Sequence, residues 1–330
     1  MLNYDSLSIV VSFIKLNKSI KKLRKVSRHF DKCITENLKF YCRIKKVSED
    51  IPKYVVGLKF HIEFNKSVDN LPNNITRLIF EEWSYFNKTV YKLPNSITHL
   101  TFGGWFDQSI INLPDSITHL KFGHKFDQSV YKLPNSLTHL TFGDCFDKSV
   151  NNSPNGITHL TFGFFFNQSV DKLPNRITHL NFGYFFNQSV DKLPKNITHL
   201  TFGYCFNKSV DKLPKNITHL TFGRDFNQSV DNLPNSITHL TFGDGFNQSV
   251  DNLPNSITHL TFGDGFNQSV DNLPSNITHL TFGECFNQPI DNLPDSLTHL
   301  TFVIECKLRD INKLPKSIKF LKIGSDVISM

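Results

Sequence analysis

The sequence predicts a mainly β protein, a single-superhelical solenoid of 20-residue rungs behind a small α-helical head. Three observations carry this. A unit whose cleanest form is LPNSITHLTFGDGFNQSVDN recurs from about residue 51 to residue 316. Its Leu-Pro, or Ile-Pro in the first copy, sets prolines at Pro52, Pro72 and Pro94, then every twentieth residue to Pro294, and finally at Pro315. Residues 1–48 break that phase, whereas 49–330 hold about 13 to 14 units. Self-similarity at a period of ~20 to 29 residues marks a stack of supersecondary units, each burying its apolar face against its neighbours.

Counting each unit from its leucine, the apolar positions are 1, 5, 8, 10, 14 and 18, as in Leu233, Ile237, Leu240, Phe242, Phe246 and Val250. Positions 8 and 10 alternate with the period of a strand, which points Leu240 and Phe242 inward and His239 and Thr241 outward. Proline at position 2 cannot donate to a ladder and belongs on the return side or just before pairing begins. Glycine after the strand, as at Gly243, implies either a positive φ or close backbone approach. Stacked units place Phe242 over Phe262 and Phe246 over Phe266, two aromatic spines that account for much of the phenylalanine content.

The unit L-P-x-x-Φ-x-x-Φ-x-Φ is similar to a short leucine-rich repeat, and the segments FNQSVDNLPNSITHLTFG and FNQPIDNLPDSLTHLTF resemble the FNIP repeats of social amoebae and giant viruses. In ordinary leucine-rich repeats the asparagine ladder falls at position 13, whereas here Asn247 and its equivalents stand at position 15. The resemblance implies a leucine-rich-repeat-like solenoid, with Asn247 expected to cap backbone groups between rungs.

The formal charge of +7 lies in residues 1–50, which hold 12 Lys and Arg against 5 Asp and Glu; the other 280 residues carry 24 of each sign. A neutral array argues against a long nucleic-acid groove. The cysteines form no CxxC pair, and Cys145, Cys205 and Cys285 share one repeat position three and four rungs apart, too far for a disulfide. Free thiols suit a reducing compartment, so the expected location is cytoplasmic, or the host cytoplasm if the source is viral. No signal peptide and no stretch of ~20 apolar residues is present, which predicts no membrane partner.

Eleven of the 14 histidines form one series from His99 to His299. Rungs ~4.8 Å apart do not bring neighbouring imidazoles together on one ion, so no metal and no cofactor is expected. The series reads as an exposed polar face. Catalysis has no support either, because a site needs one convergent constellation and here every candidate recurs rung after rung. The chain is expected to be no enzyme.

Diversity concentrates at positions 12 and 13, and the early 22-residue unit inserts its two extra residues at the same turn. That turn carries Trp83, Tyr85 and Trp105, then Phe164, Phe165, Tyr184, Phe185 and Tyr204 along three neighbouring rungs. Contiguous exposed aromatics mark a protein-binding surface; the other reading folds these rings back over the spine. The expected target is an unknown protein, and the chain itself a monomer.

In the head, Ile20, Leu23, Val26, Phe30 and Ile34 form one apolar helical stripe, with lysines and arginines crowding the polar face. A solenoid needs such a cap at its first rung. Ser12-Phe13-Ile14 and the run from Leu23 to Phe30, LRKVSRHF, also resemble the two helical motifs of the F-box, and Leu2, Asp5, Leu7 and Val10 fit its opening helix. The family's leading Leu-Pro is Leu2-Asn3 here. The resemblance implies that Leu2, Leu7, Val10, Phe13, Leu23, Val26 and Phe30 contact a Skp-type adaptor of a cullin complex. The chain would then be a non-enzymatic substrate receptor for a ubiquitin ligase. The alternatives are a plain protein-binding solenoid and a basic head that binds nucleic acid.

Overall fold

The computed structural model describes residues 40–44, 51, 55–303 and 314–329. The expected helical head, with its adaptor-contact set Leu2, Leu7, Val10, Phe13, Leu23, Val26 and Phe30, lies outside the described residues. One part of the helical reading is corrected: Phe40–Ile44 is a strand, β1, as its aromatic and β-branched residues favour. The chain divides into two compact units, Met1–Gly143 and Asp144–Met330.

In the first unit β1 pairs in parallel with β2 (Val55–Phe60), followed by β3 (Arg77–Phe80), β4 (His99–Thr101), β5 (His119–Lys121) and β6 (His139–Thr141), each beside its predecessor. The second unit continues the pattern with β7 (His159–Thr161), β8 (His179–Asn181), β9 (His199–Thr201), β10 (His219–Thr221), β11 (His239–Thr241), β12 (His259–Thr261), β13 (His279–Phe282), β14 (His299–Phe302) and β15 (Phe320–Ile323). Apart from one irregularity between Phe40 and Tyr41 on β1, register is regular, with His over His and Leu over Leu along the histidine-bearing strands, as in His219–His239 and Leu220–Leu240. A hairpin through Gly324 adds the antiparallel strand β16 (Asp326–Ser329) and ends the sheet.

A rung is one short strand and three closed corners. In the middle of the second unit Phe246 N–H donates to Gly243 O at 3.3 Å, Leu253 N–H to Val250 O at 3.3 Å, and Ile257 N–H to Pro254 O at 3.1 Å. Each closes a four-residue turn. Proline serves its corner through the carbonyl alone, so its missing N–H leaves no gap. The corners turn positions 1, 5, 8, 10, 14 and 18 inward, and Leu253, Ile257, Leu260, Phe262, Phe266 and Val270 are all buried.

The two aromatic spines form as expected. Within a rung Phe242 and Phe246 stack at 3.8 Å, and between rungs Phe242 meets Phe262 at 5.7 Å and Phe246 meets Phe266 at 6.0 Å. Of the two reasons offered for the post-strand glycine, close approach is the operative one. Among the described residues only Gly324 has a positive φ, 58°. A Cβ on Gly243 would instead overlap the Gly223 carbonyl of the rung before. No helix among the described residues is long and apolar enough to cross a membrane.

Candidate protein-binding surface

The post-strand turns are laddered through their backbones. Phe185 N–H donates to Phe164 O at 3.0 Å, Cys205 N–H to Tyr184 O at 2.9 Å, and Asp225 N–H to Tyr204 O at 2.8 Å. Side chains at positions 12 and 13 therefore stand in two ranks with little freedom to spread. In one rank Phe164 stacks on Tyr184 at 4.6 Å and Tyr184 on Tyr204 at 4.5 Å. In the other, Phe165 stacks on Phe185 at 5.6 Å. The ranks meet nearly at right angles, with Phe164 against Phe165 at 76° and Tyr184 against Phe185 at 71°.

These rings do not fold back over the spine. Phe164, Phe165 and Phe185 are 38%, 47% and 41% exposed, and Tyr184 and Tyr204 are half-buried by their own neighbours. Arg224 closes the first rank, lying over the Tyr204 ring at 5.4 Å while its Nη1 donates to the Tyr204 hydroxyl. Desolvation, and then the adjacent Tyr204, raise the Tyr184 phenol above its ordinary value. Offset and edge contacts of this kind are worth ~0.5–1.5 kcal/mol each beyond area burial. The surface is thus organised before any partner arrives.

In the first unit Trp83, Tyr85 and Trp105 occupy the equivalent turns and are also exposed. Tyr85 and Trp105 lie 5.9 Å apart, and Lys125 Nζ sits 5.9 Å from the Trp105 ring centre. The two-residue insertion is accommodated at this turn, where Ser84 turns inward and is fully buried, its Oγ accepting from Phe86 N–H at 3.2 Å.

The histidine series faces outward as expected, but half-buried and not fully exposed, because each imidazole covers the next. Ring centres stand 4.1–4.3 Å apart and nearly parallel, from His99 to His139 in the first unit and from His159 to His299 in the second. Thr238 Oγ1 donates to Thr218 O at 3.2 Å and lies 2.9 Å from His239 Nδ1, which orients the ring. Burial first, then neighbouring imidazoles, hold His179, His199, His239, His259 and His279 below the ordinary histidine value; for His99 burial is followed by Arg77 and His139. Stacked faces do not converge on a point, and among the described residues no group of three potential ligands could hold a metal ion.

Position 15 forms the expected inter-rung cap. Asn227 Oδ1 accepts from Asn247 N–H at 2.9 Å and from Gln248 Nε2 at 3.1 Å. Asp107 does the same for Asp127 N–H at 3.0 Å and Gln128 Nε2 at 2.9 Å, so an acceptor oxygen is all the site requires.

Variation is not confined to positions 12 and 13. At position 19, on the return edge, Tyr91 and Tyr131 are exposed where later rungs carry aspartate. In the second unit, at the corners that precede the strands, an open depression of about 850 Å³ is lined by Lys192, Lys195, Lys212 and Lys215. The substitutions themselves were visible as departures from the consensus; that each stands on the return edge of its own unit follows from the corner geometry.

The fold has solved counterparts. CroV588, described as a novel circular LRR protein structure, aligns at a TM-score of 0.64 and 39% identity over 83% of this chain, which spans only 50% of that one. An internalin, InlF, from Listeria monocytogenes str. 4b F2365 aligns at 0.57 and 17% identity, covering 85% of this chain and 92% of its own. The functional domain of InlJ from Listeria monocytogenes, which includes a cysteine ladder, aligns at 0.51 and 13% identity over 88% of this chain and 63% of its own. At such identities the internalins speak for the fold alone. No curated protein matches the chain. The FNIP Repeat profile matches in overlapping or abutting segments that run without a gap from residue 64 to residue 326, each about two rungs long. On its twenty-residue rungs and on that match, the chain belongs to the FNIP repeat family.

Proposed function

We propose that this chain is a non-enzymatic protein-binding scaffold whose aromatic turns from Phe164 to Tyr204 hold a protein target. The observation that carries the reading is the double rank of exposed rings on hydrogen-bonded turns. Rigid aromatics bind at low entropic cost, because little side-chain freedom remains to be lost. The finer reading makes the chain an F-box-type substrate receptor of a cullin ubiquitin ligase in the cytoplasm of the cell or of a viral host. The head would dock on a Skp-type adaptor through Leu2, Leu7, Val10, Phe13, Leu23, Val26 and Phe30, and the turns would present the target. Such recruitment works by effective concentration and needs no chemistry on this chain. Its support is the motif resemblance at Ser12-Phe13-Ile14 and from Leu23 to Phe30.

Affinity purification from the native host separates the two layers. A chain with Phe165→Ala and Phe185→Ala should lose the target and keep the adaptor. A chain with Leu23→Ala, Val26→Ala and Phe30→Ala should lose the adaptor and keep the target. Target recovery unchanged by the first pair would remove the aromatic surface from the reading. A wild-type chain that recovers no Skp-type adaptor would leave a plain binding solenoid.

A further inference from the structure

Within the second unit, the stretch from residue 171 to residue 306 is electrically divided along the sequence. Residues 171–224 hold eight Lys and Arg against three Asp, whereas residues 225–306 hold ten Asp and Glu and neither Lys nor Arg. The return edge, at the corners that precede the strands, shows the division rung by rung. Lys192 and Lys212 pair with Asp171 and Asp191 of the rungs before them, at 3.0 and 2.9 Å. Lys195 and Lys215 project beside them, into the lysine-lined depression, without an ion pair among the described residues.

Beyond Asp211 the same edge turns acidic. Asp231 accepts from Ser229 Oγ at 2.8 Å and from Asn252 Nδ2 at 3.1 Å, Asp251 from Ser249 and Asn272, and Asp271 from Ser269 and Asn292. Every one of those donors is neutral. The hydrogen bonds from Ser229 and Asn252 hold the Asp231 carboxyl below its ordinary value, so it stays ionised.

We propose that this edge binds the same edge of a second copy of the chain, related by a two-fold axis passing between the rungs of Lys212 and Asn232. Lys212 and Lys215 then face the partner's Asp231, Lys192 and Lys195 face the partner's Asp251, and Lys172 and Arg176 face the partner's Asp271. Because the contact is isologous, each pairing occurs twice. A parallel arrangement would set like charge against like.

The spacing selects this partner over others. Both charge rows repeat once per rung, ~4.8 Å, and a second copy carries carboxylates at that same interval. An extended acidic peptide places successive side chains of one face ~6.6–6.8 Å apart and loses register after one pair. A nucleic acid finds no aromatic ring in the depression on which to stack a base. Exposed ion pairs are individually weak and are screened by salt, so the association is reversible and depends on ionic strength. It departs from the monomer expected of the sequence.

Sedimentation velocity of the full chain tests the proposal at about 20 mM and about 500 mM salt, on either side of the regime where screening becomes severe. A dimer is expected at low salt, weakened at least ~10-fold at high salt. Arg176→Glu, Lys195→Glu and Lys215→Glu together, or Asp231→Lys, Asp251→Lys and Asp271→Lys together, should each give a monomer. An equimolar mixture of the two variants should dimerise again, which also shows that both are folded. The neutral set Arg176→Gln, Lys195→Gln and Lys215→Gln should weaken the dimer without repulsion. A wild-type monomer at low salt, a dimer that survives either reversal, or a mixture that stays monomeric would overturn the proposal.

Discussion

The carbonyl oxygen of Gly163 occupies the space that a Cβ on Gly183 would need. That relationship repeats from rung to rung and sets how closely the post-strand turns approach. Gly183→Ala must push two rungs apart or bend the turn, and the obstacle is backbone, which yields less readily than a side-chain tip. The expected cost is ~1–3 kcal/mol, read from urea denaturation.

Acid should weaken the array. The unfolded chain takes up protons on its histidines near pH ~6.5, while the folded imidazoles of His99, His179, His199, His239, His259 and His279 resist protonation. Their contribution is therefore whole above ~6.5, falls as the pH drops below that, and is lost once the depressed folded values are passed. The melting temperature should decline between about pH 7.5 and about pH 5, most of which lies above the range in which the carboxylates titrate. Replacing His239 and His259 with Gln should flatten the decline, and a melting temperature constant over that interval would refute the account.

The position-15 cap discriminates between two substitutions of similar size. Asn227→Asp keeps an oxygen for Asn247 N–H and Gln248 Nε2, the arrangement already present at Asp107. Asn227→Leu leaves both donors to solvent or unpaired. Thermal melts should show the first near wild type and the second ~1–2 kcal/mol less stable.

Phe246 is fully buried between the Phe226 and Phe266 rings at 6.0 Å on either side. Phe246→Ala should cost ~3–5 kcal/mol. In a stack stabilised by nearest neighbours the damage should stay local. Hydrogen exchange should quicken at the amides of the adjoining rungs, with smaller changes several rungs away.

The repeat arithmetic made the inward positions readable because each is both periodic and apolar. Leu240, Phe242 and Phe246 needed only a strand and a turn to be placed, and the paired spines followed. The glycine remained ambiguous, since composition does not distinguish a positive φ from a crowded backbone; only the Gly183 to Gly163 approach decides it. The histidines were assigned to the right face with too much exposure, because parallel stacking at 4.1–4.3 Å is a property of neighbours and not of any one rung. The fate of Phe164 and Phe185 was open for a similar reason, as an aromatic residue in a turn can serve the core or the solvent. Tyr91, Tyr131 and the lysine edge were not legible as a surface, because positions 19, 20 and 3 vary in charge and size without disturbing the apolar pattern.

The three closed corners carry a last consequence. Within the second unit the consensus rungs offer upward the same carbonyls, side-chain oxygens and ring faces that they accept from below, so the junctions among those rungs share one ladder and one core chemistry. The array should therefore change length in whole quanta. Removing residues 253–272, whose sequence repeats 233–252 in full, would join Asn252 to Leu273 across a seam indistinguishable from those on either side. Loss of a few residues within a rung would break three ladders at once. Copy number is then a tunable coordinate: it can change at the consensus rungs while the ladder and core contacts of the remaining rungs stay intact.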